Sequence, residues 1–305
     1  MSFEPEIQRP AYLPPDEAPR RPRVALMGEF SAGKSTLANL MIGTDPLPMQ
    51  VVATQLPPVW ISHGQRETVI VDLEGNETPC DLKTVRNLVP DDVAYIRFQC
   101  DEEILQMCDI IDMPGISDPN MSPDVWERIM PAADAVSWCS PSTQAWRQSE
   151  AAVWEGMDAR VHGNSMLLLT RSDMLLTERD KAKVLKRVRN ETEGLFSHVQ
   201  LISLLQARDA QDDAEVLHRS GADEFVQTFL DLLDRLQKEI IGADLAFHSP
   251  LAPAAEKGTV SPDDEAAGES KVVPRRPVAK TSQRKAANDD QNSPPDLSKF
   301  TPKFS

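Results

Sequence analysis

Lys34 and Ser35 stand side by side, directly after Gly33 and at the end of a run that begins with Gly28. The run Gly28-Glu29-Phe30-Ser31-Ala32-Gly33-Lys34-Ser35-Thr36 fits G-x-x-x-x-G-K-[ST]. Each fixed position has a physical use. The glycines let backbone N–H groups close around an anion, and the positive end of a following helix adds to the attraction. The Lys34 ammonium is placed to reach the β- and γ-phosphates of a nucleotide, and the Ser35 hydroxyl to ligate Mg²⁺. The alternative is a Gly-Ser turn before a helix with an exposed lysine.

Two further clusters fall in the right order behind this loop. Asp112-Met113-Pro114-Gly115 directly follows an apolar run, as D-x-x-G does in GTP-hydrolysing switches. There the aspartate holds Mg²⁺ through water, and the glycine N–H meets the γ-phosphate. Thr170-Arg171-Ser172-Asp173 matches [NT]-[KR]-x-D. The Asp173 carboxylate can accept two hydrogen bonds, from the N1–H and the exocyclic amine of guanine. Adenine lacks that paired donor edge, so a carboxylate here discriminates by leaving polar groups unpaired in the wrong complex. Arg171 is expected to pack its stem or guanidinium plane on the base. Ser203 is placed in the loop that touches the guanine from the other side, with an ordinary core strand end as the other reading. Taken singly, Asp112–Gly115 and Thr170–Asp173 are polar turns of a common kind.

The elements that must position these groups can be read from the apolar pattern. Arg23–Met27 is a short buried strand, and Thr36–Ile42 a helix stopped by Gly43. Residues 57–62 and 67–71 read as two strands joined by a turn at His63-Gly64. A short helix over 81–88 follows, then strands over 93–100 and 108–112, the second ending at the Asp112 turn. Beyond it come a helix over 123–130, strand 135–139, helix 147–158, strand 165–170, helix 178–193, strand 199–203 and helix 222–241. Apolar strands alternating with helices predict an α/β fold of the P-loop NTPase type: three layers, with a mostly parallel sheet covered by helices on both faces. Ligands on such sheets sit at the carboxyl ends of the strands, where Gly28, Asp112, Asp173 and Ser203 all fall.

The chain ends differ from this body. Of 25 prolines among 305 residues, six precede Val24 and eight follow His248. Both ends are therefore expected to be extended and unfolded, giving segments 1–22 and 243–305 around a domain at 23–242. The net charge of −16 is also uneven. Four acids balance four bases before Val24, and nine bases exceed eight acids after His248, so the body carries −17. An acidic body argues against phosphate-backbone contact with nucleic acid and against a basic membrane-facing surface. The four cysteines form no C-x-x-C pair, which suits a reducing cytosol. No stretch has the length of an apolar span, and the expectation is a soluble, cytoplasmic protein. One stretch departs from the acidic trend. Lys271 to Lys285 holds six bases and no acid, and is either a solvated linker or a tether to anionic lipid or an acidic partner at the inner membrane surface.

The loop Gly28–Asn39 resembles that of the bacterial dynamin-like GTPases, in which G-E-F-S-x-G-K-S-T-L-x-N recurs. Leu47–Val59 resembles that family's L-P-x-x-x-x-x-T-x-x-P switch, which places Thr54 at the Mg²⁺-binding position. Asp112–Gly115, Thr170–Asp173 and Ala133-Asp134-Ala135-Val136 match further family motifs, and the resemblance covers about residues 23–242. It implies a G domain that binds GTP or GDP with Mg²⁺ and hydrolyses GTP; the family's stalk helices are not expected here, because the helix over 222–241 is followed by a Pro-, Ser- and Ala-rich tail. Lys34, Ser35 and Thr54 are its catalytic groups; residues Gly28 to Thr36, Gly115, Thr170, Arg171, Asp173 and Ser203 bind nucleotide; Ser35, Thr54 and Asp112 bind the metal. Ras-like GTPases orient water with a glutamine after D-x-x-G, and eukaryotic dynamins with one two residues after the first loop glycine. Here those positions are Ile116 and Phe30. Hydrolysis is therefore expected to be slow alone and accelerated in a nucleotide-dependent homodimer. Two other classes compete: a GTP-binding scaffold with little turnover that recruits partners through its tails, and a P-loop ATPase or kinase, which Asp173 disfavours.

Overall fold

The computed structural model describes residues 9–16, 19–43, 56–85, 88–119, 121–210 and 213–247. Thr54 and the expected switch up to residue 55, and the tail from residue 248, lie outside these residues.

The organising strand is β1 (Arg23–Gly28), whose six residues are all buried. Side chains alternate across a strand, so β1 feeds two cores. Val24 and Leu26 pack on one face of the sheet with α1 (Lys34–Ile42), α6 (Leu204–Asp209) and α8 (Ala222–Phe247), through Leu37, Leu204, Phe225 and Phe229. Ala25 and Met27 pack on the other face with α3 (Asp124–Glu127), α4 (Gln148–Glu155) and α5 (Glu178–Glu191), through Trp126, Trp154 and Val188. The three-layer α/β expectation holds, and all five tryptophans are core residues.

The sheet has nine strands in the order β4-β3-β5-β2-β6-β1-β7-β8-β9. On one side of β1, and beginning with it, β7 (Ala135–Pro141), β8 (Met166–Thr170) and β9 (His198–Leu201) run parallel, and β6 (Asp109–Asp112) joins parallel on the other side. Their register brings the carboxyl ends to one edge: Leu26 pairs with Asp112, Gly28 with Cys139, and Pro141 with Thr170. The far wing is mixed. β2 (Val59–His63) runs antiparallel to β6 but parallel to β5 (Val93–Cys100), and β3 (Glu67–Asp72) runs antiparallel to β5 and to β4 (Glu77–Pro79).

Several expected details change. β2 and β3 are not a hairpin, because β5 lies between them. The reason is in the burial: β2 and β5 are almost continuously buried and need neighbours on both sides, whereas β3 alternates and suits a place nearer the edge. The expected helix over 123–130 is cut to Asp124–Glu127, with a 3₁₀ turn over Met130–Ala132 where Pro131 has no donor. Two helices had no assignment in the sequence pattern, α6 and α7 (Ala214–Ser220). The last helix runs to Phe247, past the expected boundary at 242.

The amino-terminal segment also differs from its composition. Residues 9–16 and 19–22 contain no helix or strand, yet they are pinned to the domain. Leu13 is buried among the residues of the Trp126 face, and Arg20 makes two hydrogen bonds to the Asp134 carboxylate at 2.6 and 2.7 Å. Prolines stop regular structure here without stopping packing.

Candidate functional site

β1 ends at Gly28 because only glycine fits there. Its φ is +135°, and a Cβ would stand 2.0 Å from the Cys139 carbonyl oxygen on β7. The chain then turns through Ser31 and Gly33, both in the left-handed region at φ 59° and 100°, before α1 begins at Lys34. Such a turn aims successive N–H groups into one concavity, an anion nest. Lys34 is 7 % exposed, and its Nζ donates to the carbonyls of Gly28 at 3.1 Å and Glu29 at 2.8 Å. Burial lowers its pKa, and the charge of Asp112 opposes that shift.

Ser35 Oγ donates to Asp112 Oδ2 at 2.6 Å, so the loop serine and the β6 aspartate meet. The other Asp112 oxygen, Oδ1, is buried and has no hydrogen-bond partner. Burial raises the Asp112 pKa, while the Ser35 bond and the Lys34 charge lower it. An unpartnered buried carboxylate oxygen beside a hydroxyl is costly as it stands and suits a hard cation that takes oxygen ligands. The residues present thus fit Mg²⁺. Among the described residues no group of three or more His, Cys, Asp or Glu stands together that could hold a metal ion.

Gly115 is pressed against the loop: a Cβ on it would lie 2.8 Å from both the Cα and the backbone nitrogen of Phe30. Ile116 N donates to the Gly28 carbonyl at 3.2 Å, which fastens the Asp112–Gly115 turn to the end of β1.

At the other end, Thr170 Oγ1 donates to the Ala32 carbonyl at 2.7 Å, and Arg171 Nη2 to the Ser31 carbonyl at 2.6 Å. Arg171 adopts φ 55°, and Ser142 Oγ donates to its carbonyl at 3.0 Å. Thus the first two residues of this motif tie the Thr170–Asp173 turn to the Gly28–Thr36 loop. Asp173 Oδ1 accepts a 2.6 Å hydrogen bond from Ser203 Oγ. Ser203 is fully buried and caps α6 by accepting from Gln206 N. It stands two residues after β9 has ended.

A cavity of about 490 Å³ joins the two ends. Ser31 to Thr36 line it, with Thr170, Arg171 and Asp173 opposite, and Met174, Leu204, Leu205 and Arg208 complete the wall. The last four are the part that sequence reasoning missed. No motif marks them, and α6 is too short for its apolar period to announce it. Five of the expected nucleotide-binding residues, Gly28, Glu29, Phe30, Gly115 and Ser203, are not in the cavity wall: Glu29 is buried against Arg147 and Ser149, Phe30 is 47 % exposed, and Ser203 stands behind Asp173.

Residues 24–172 match the model of the Dynamin family. Dynamin-like protein 2 of Campylobacter jejuni is 24% identical over 226 residues, which are 72% of this chain and 35% of that protein. Two solved structures of an oligomerised bacterial dynamin pair, described as a mechanism for long-range sensing and tethering of membranes, superpose with TM-scores of 0.52 and 0.56. They are 18% and 17% identical, and each match covers 74% of this chain and 49% of that chain. At that identity the likeness is one of fold. The chain spans between about a third and a half of the length of these relatives.

Proposed function

We propose, on the premise that residues 23–242 carry a dynamin-like G domain, that this chain is a Mg²⁺-dependent GTP-binding and GTP-hydrolysing switch. The observation that carries the reading is one cavity with the Ser35–Asp112 pair near one end and the Ser203–Asp173 pair at the other. In this reading the loop N–H groups and Lys34 take the phosphates. Ser35, Asp112 and Thr54 hold Mg²⁺, which supplies positive charge to the phosphate oxygens when bound. Asp173 accepts from the guanine edge, and its bond from Ser203 fixes the carboxylate before the base arrives. The bonds from Thr170 and Arg171 to the loop keep the two ends at a constant separation.

Neither Ile116 nor Phe30 carries a group that could orient the attacking water. Slow turnover alone follows, with acceleration when a second copy covers the cavity. The mouth supports this second part. Phe30, Met174, Leu176 and Leu205 are 47, 60, 91 and 50 % exposed; Met174 and Leu205 line the cavity, and Phe30 precedes and Leu176 follows lining residues closely in the chain. Apolar side chains clustered around a polar site are the mark of a surface that another surface covers. A twofold pairing would bury both mouths at once. Phe30 and Ile116 equally favour a second reading, a GTP-binding scaffold with little turnover.

Hydrolysis of GTP and ATP, measured per molecule over a range of protein concentrations, separates these. A GTP-specific rate that climbs with concentration is expected. A fast rate independent of concentration would sink the dimer proposal, and tight GTP binding with no phosphate release would favour the scaffold.

A further inference from the structure

Glu29 is a carboxylate built into a loop that receives polyphosphate. That placement is adverse on electrostatic grounds, since the acid repels the ligand and competes for the ammonium of Lys34. The surroundings of Glu29 answer the problem. Its Oε2 accepts from Arg147 Nη1 at 2.6 Å and its Oε1 from Ser149 Oγ at 2.8 Å, while its carbonyl oxygen holds the Lys34 ammonium at 2.8 Å. One residue therefore links Arg147 to Lys34.

Arg147 is itself firmly placed. Its backbone N–H donates to Glu150 Oε2 at 2.9 Å, and the same buried carboxylate takes Trp138 Nε1 and Ser140 Oγ, each at 2.9 Å. The preceding residue, Trp146, is held at φ 57°, a conformation an aromatic side chain rarely adopts. Its ring is locked edge-on against Trp138 and Phe196. Strain that the surroundings over-determine tends to sit where a neighbouring group must be aimed. Here the turn at Trp146 delivers Arg147 and Ser149 to the phosphate loop.

We propose that Arg147 is a positioning residue for the phosphate site: it neutralises Glu29 and, through the Glu29 backbone, holds Lys34 and the Phe30 peptide in place against Gly115. This rests on the reading that the cavity takes GTP. It assigns Glu29 to supporting the loop and not to touching the nucleotide. The charge logic makes a sharp prediction. Removing Arg147 leaves a carboxylate unpaired beside the phosphates, and the harm grows with ligand charge, so GTP suffers more than GDP. Removing both charges should cost less than removing Arg147 alone, because Glu29, 7 % exposed, is the group left without its counter-charge, whereas the Arg147 side chain is 44 % exposed and water can solvate it.

The test is equilibrium binding of fluorescent GTP and GDP analogues with Mg²⁺ to the full chain and to Arg147→Ala, Arg147→Lys, and Arg147→Ala combined with Glu29→Gln, with thermal melting of each. Arg147→Ala should lose about tenfold in GTP affinity and about threefold in GDP affinity. The double variant should return to within about threefold of the wild type, and Arg147→Lys should fall between. Wild-type binding to the alanine variant overturns the proposal. So does an equal loss for both nucleotides that Glu29→Gln does not rescue, which marks a structural role alone. Should Arg147→Ala fail to fold, Arg147→Gln decides, because it removes the charge and keeps a hydrogen-bonding side chain: an unchanged GTP-to-GDP affinity ratio in it contradicts the proposal. Failure of the wild type to bind GTP defeats the GTP reading itself, a distinct outcome.

Discussion

The two ends of the cavity are built by different means. The phosphate end is backbone and buried charge. Gly28 and Gly115 are there because nothing larger fits, Lys34 is bonded to carbonyls, and Asp112 sits at the end of a strand whose register with β1 is fixed. The base end rests more on side chains, with Thr170 and Arg171 bonded to the loop carbonyls and Asp173 to Ser203. Asp173 is held by one serine hydroxyl, and the apolar wall comes from a six-residue helix with Leu205 half exposed. The first kind of site tolerates almost no substitution, because backbone cannot be exchanged. The second can be retuned one side chain at a time. In the proposed reading, what every nucleotide shares is read by the rigid part, and what distinguishes one base from another by the adjustable part.

Substitutions can break or sharpen this contrast. The largest effect is expected for Lys34→Ala, which removes the only ammonium in the cavity wall among the described residues. GTP, GDP and ATP should all weaken by on the order of a hundredfold, measured by fluorescence titration. A loss confined to GTP would break the contrast. Gly28→Ala should come next and act on the fold. With a Cβ 2.0 Å from the Cys139 carbonyl and φ at +135°, it should destabilise the domain by about 3 kcal/mol, read from denaturant melts. Ser203→Ala should be milder and selective. It deletes one hydroxyl from Asp173, so GTP affinity should fall by about three- to tenfold while ATP is unaffected.

The smallest effect belongs to neither end. His218 on α7 donates from Nδ1 to the Asp223 carboxylate at 2.6 Å, and that bond raises its pKa above the ordinary 6.5. A folded-state pKa above the unfolded value contributes stability that is present below pH 6.5 and is lost as pH rises through the raised value. Melting of the wild type should therefore decline slightly across that window relative to His218→Gln, with no change in nucleotide binding. A nucleotide-linked shift would mean that α7 is coupled to the base end.

The same contrast explains what could be read from the sequence. The turn from Gly28 to Lys34 was legible as a loop between strand and helix, because constraints on backbone leave glycines at fixed spacing and a lysine between loop and helix. The turn at Asp112–Gly115 was legible for the same reason. At the base end the polar atoms Asp173 and Ser203 were found, but Met174, Leu204, Leu205 and Arg208 were not, since any side chain of suitable shape could have filled the wall. The far wing of the sheet misled in a related way. Strands at 59–63 and 67–72 look like a hairpin by proximity, and only the burial of β5 on both sides shows that it must intervene. Arg147 carried no signal at all. Its importance lies in a contact to Glu29 across 118 positions of sequence.

The central claim is that one rigid end takes the phosphates and one adjustable end reads guanine. It is tested most directly by competition between GTP and ATP for the wild type and for Asp173→Asn, with Mg²⁺ present. The wild type should prefer GTP by about a hundredfold or more, and Asp173→Asn should erase most of that preference by weakening GTP alone, leaving ATP affinity where it was. Equal affinities in the wild type, or an equal loss of GTP and ATP on substitution, would contradict the account.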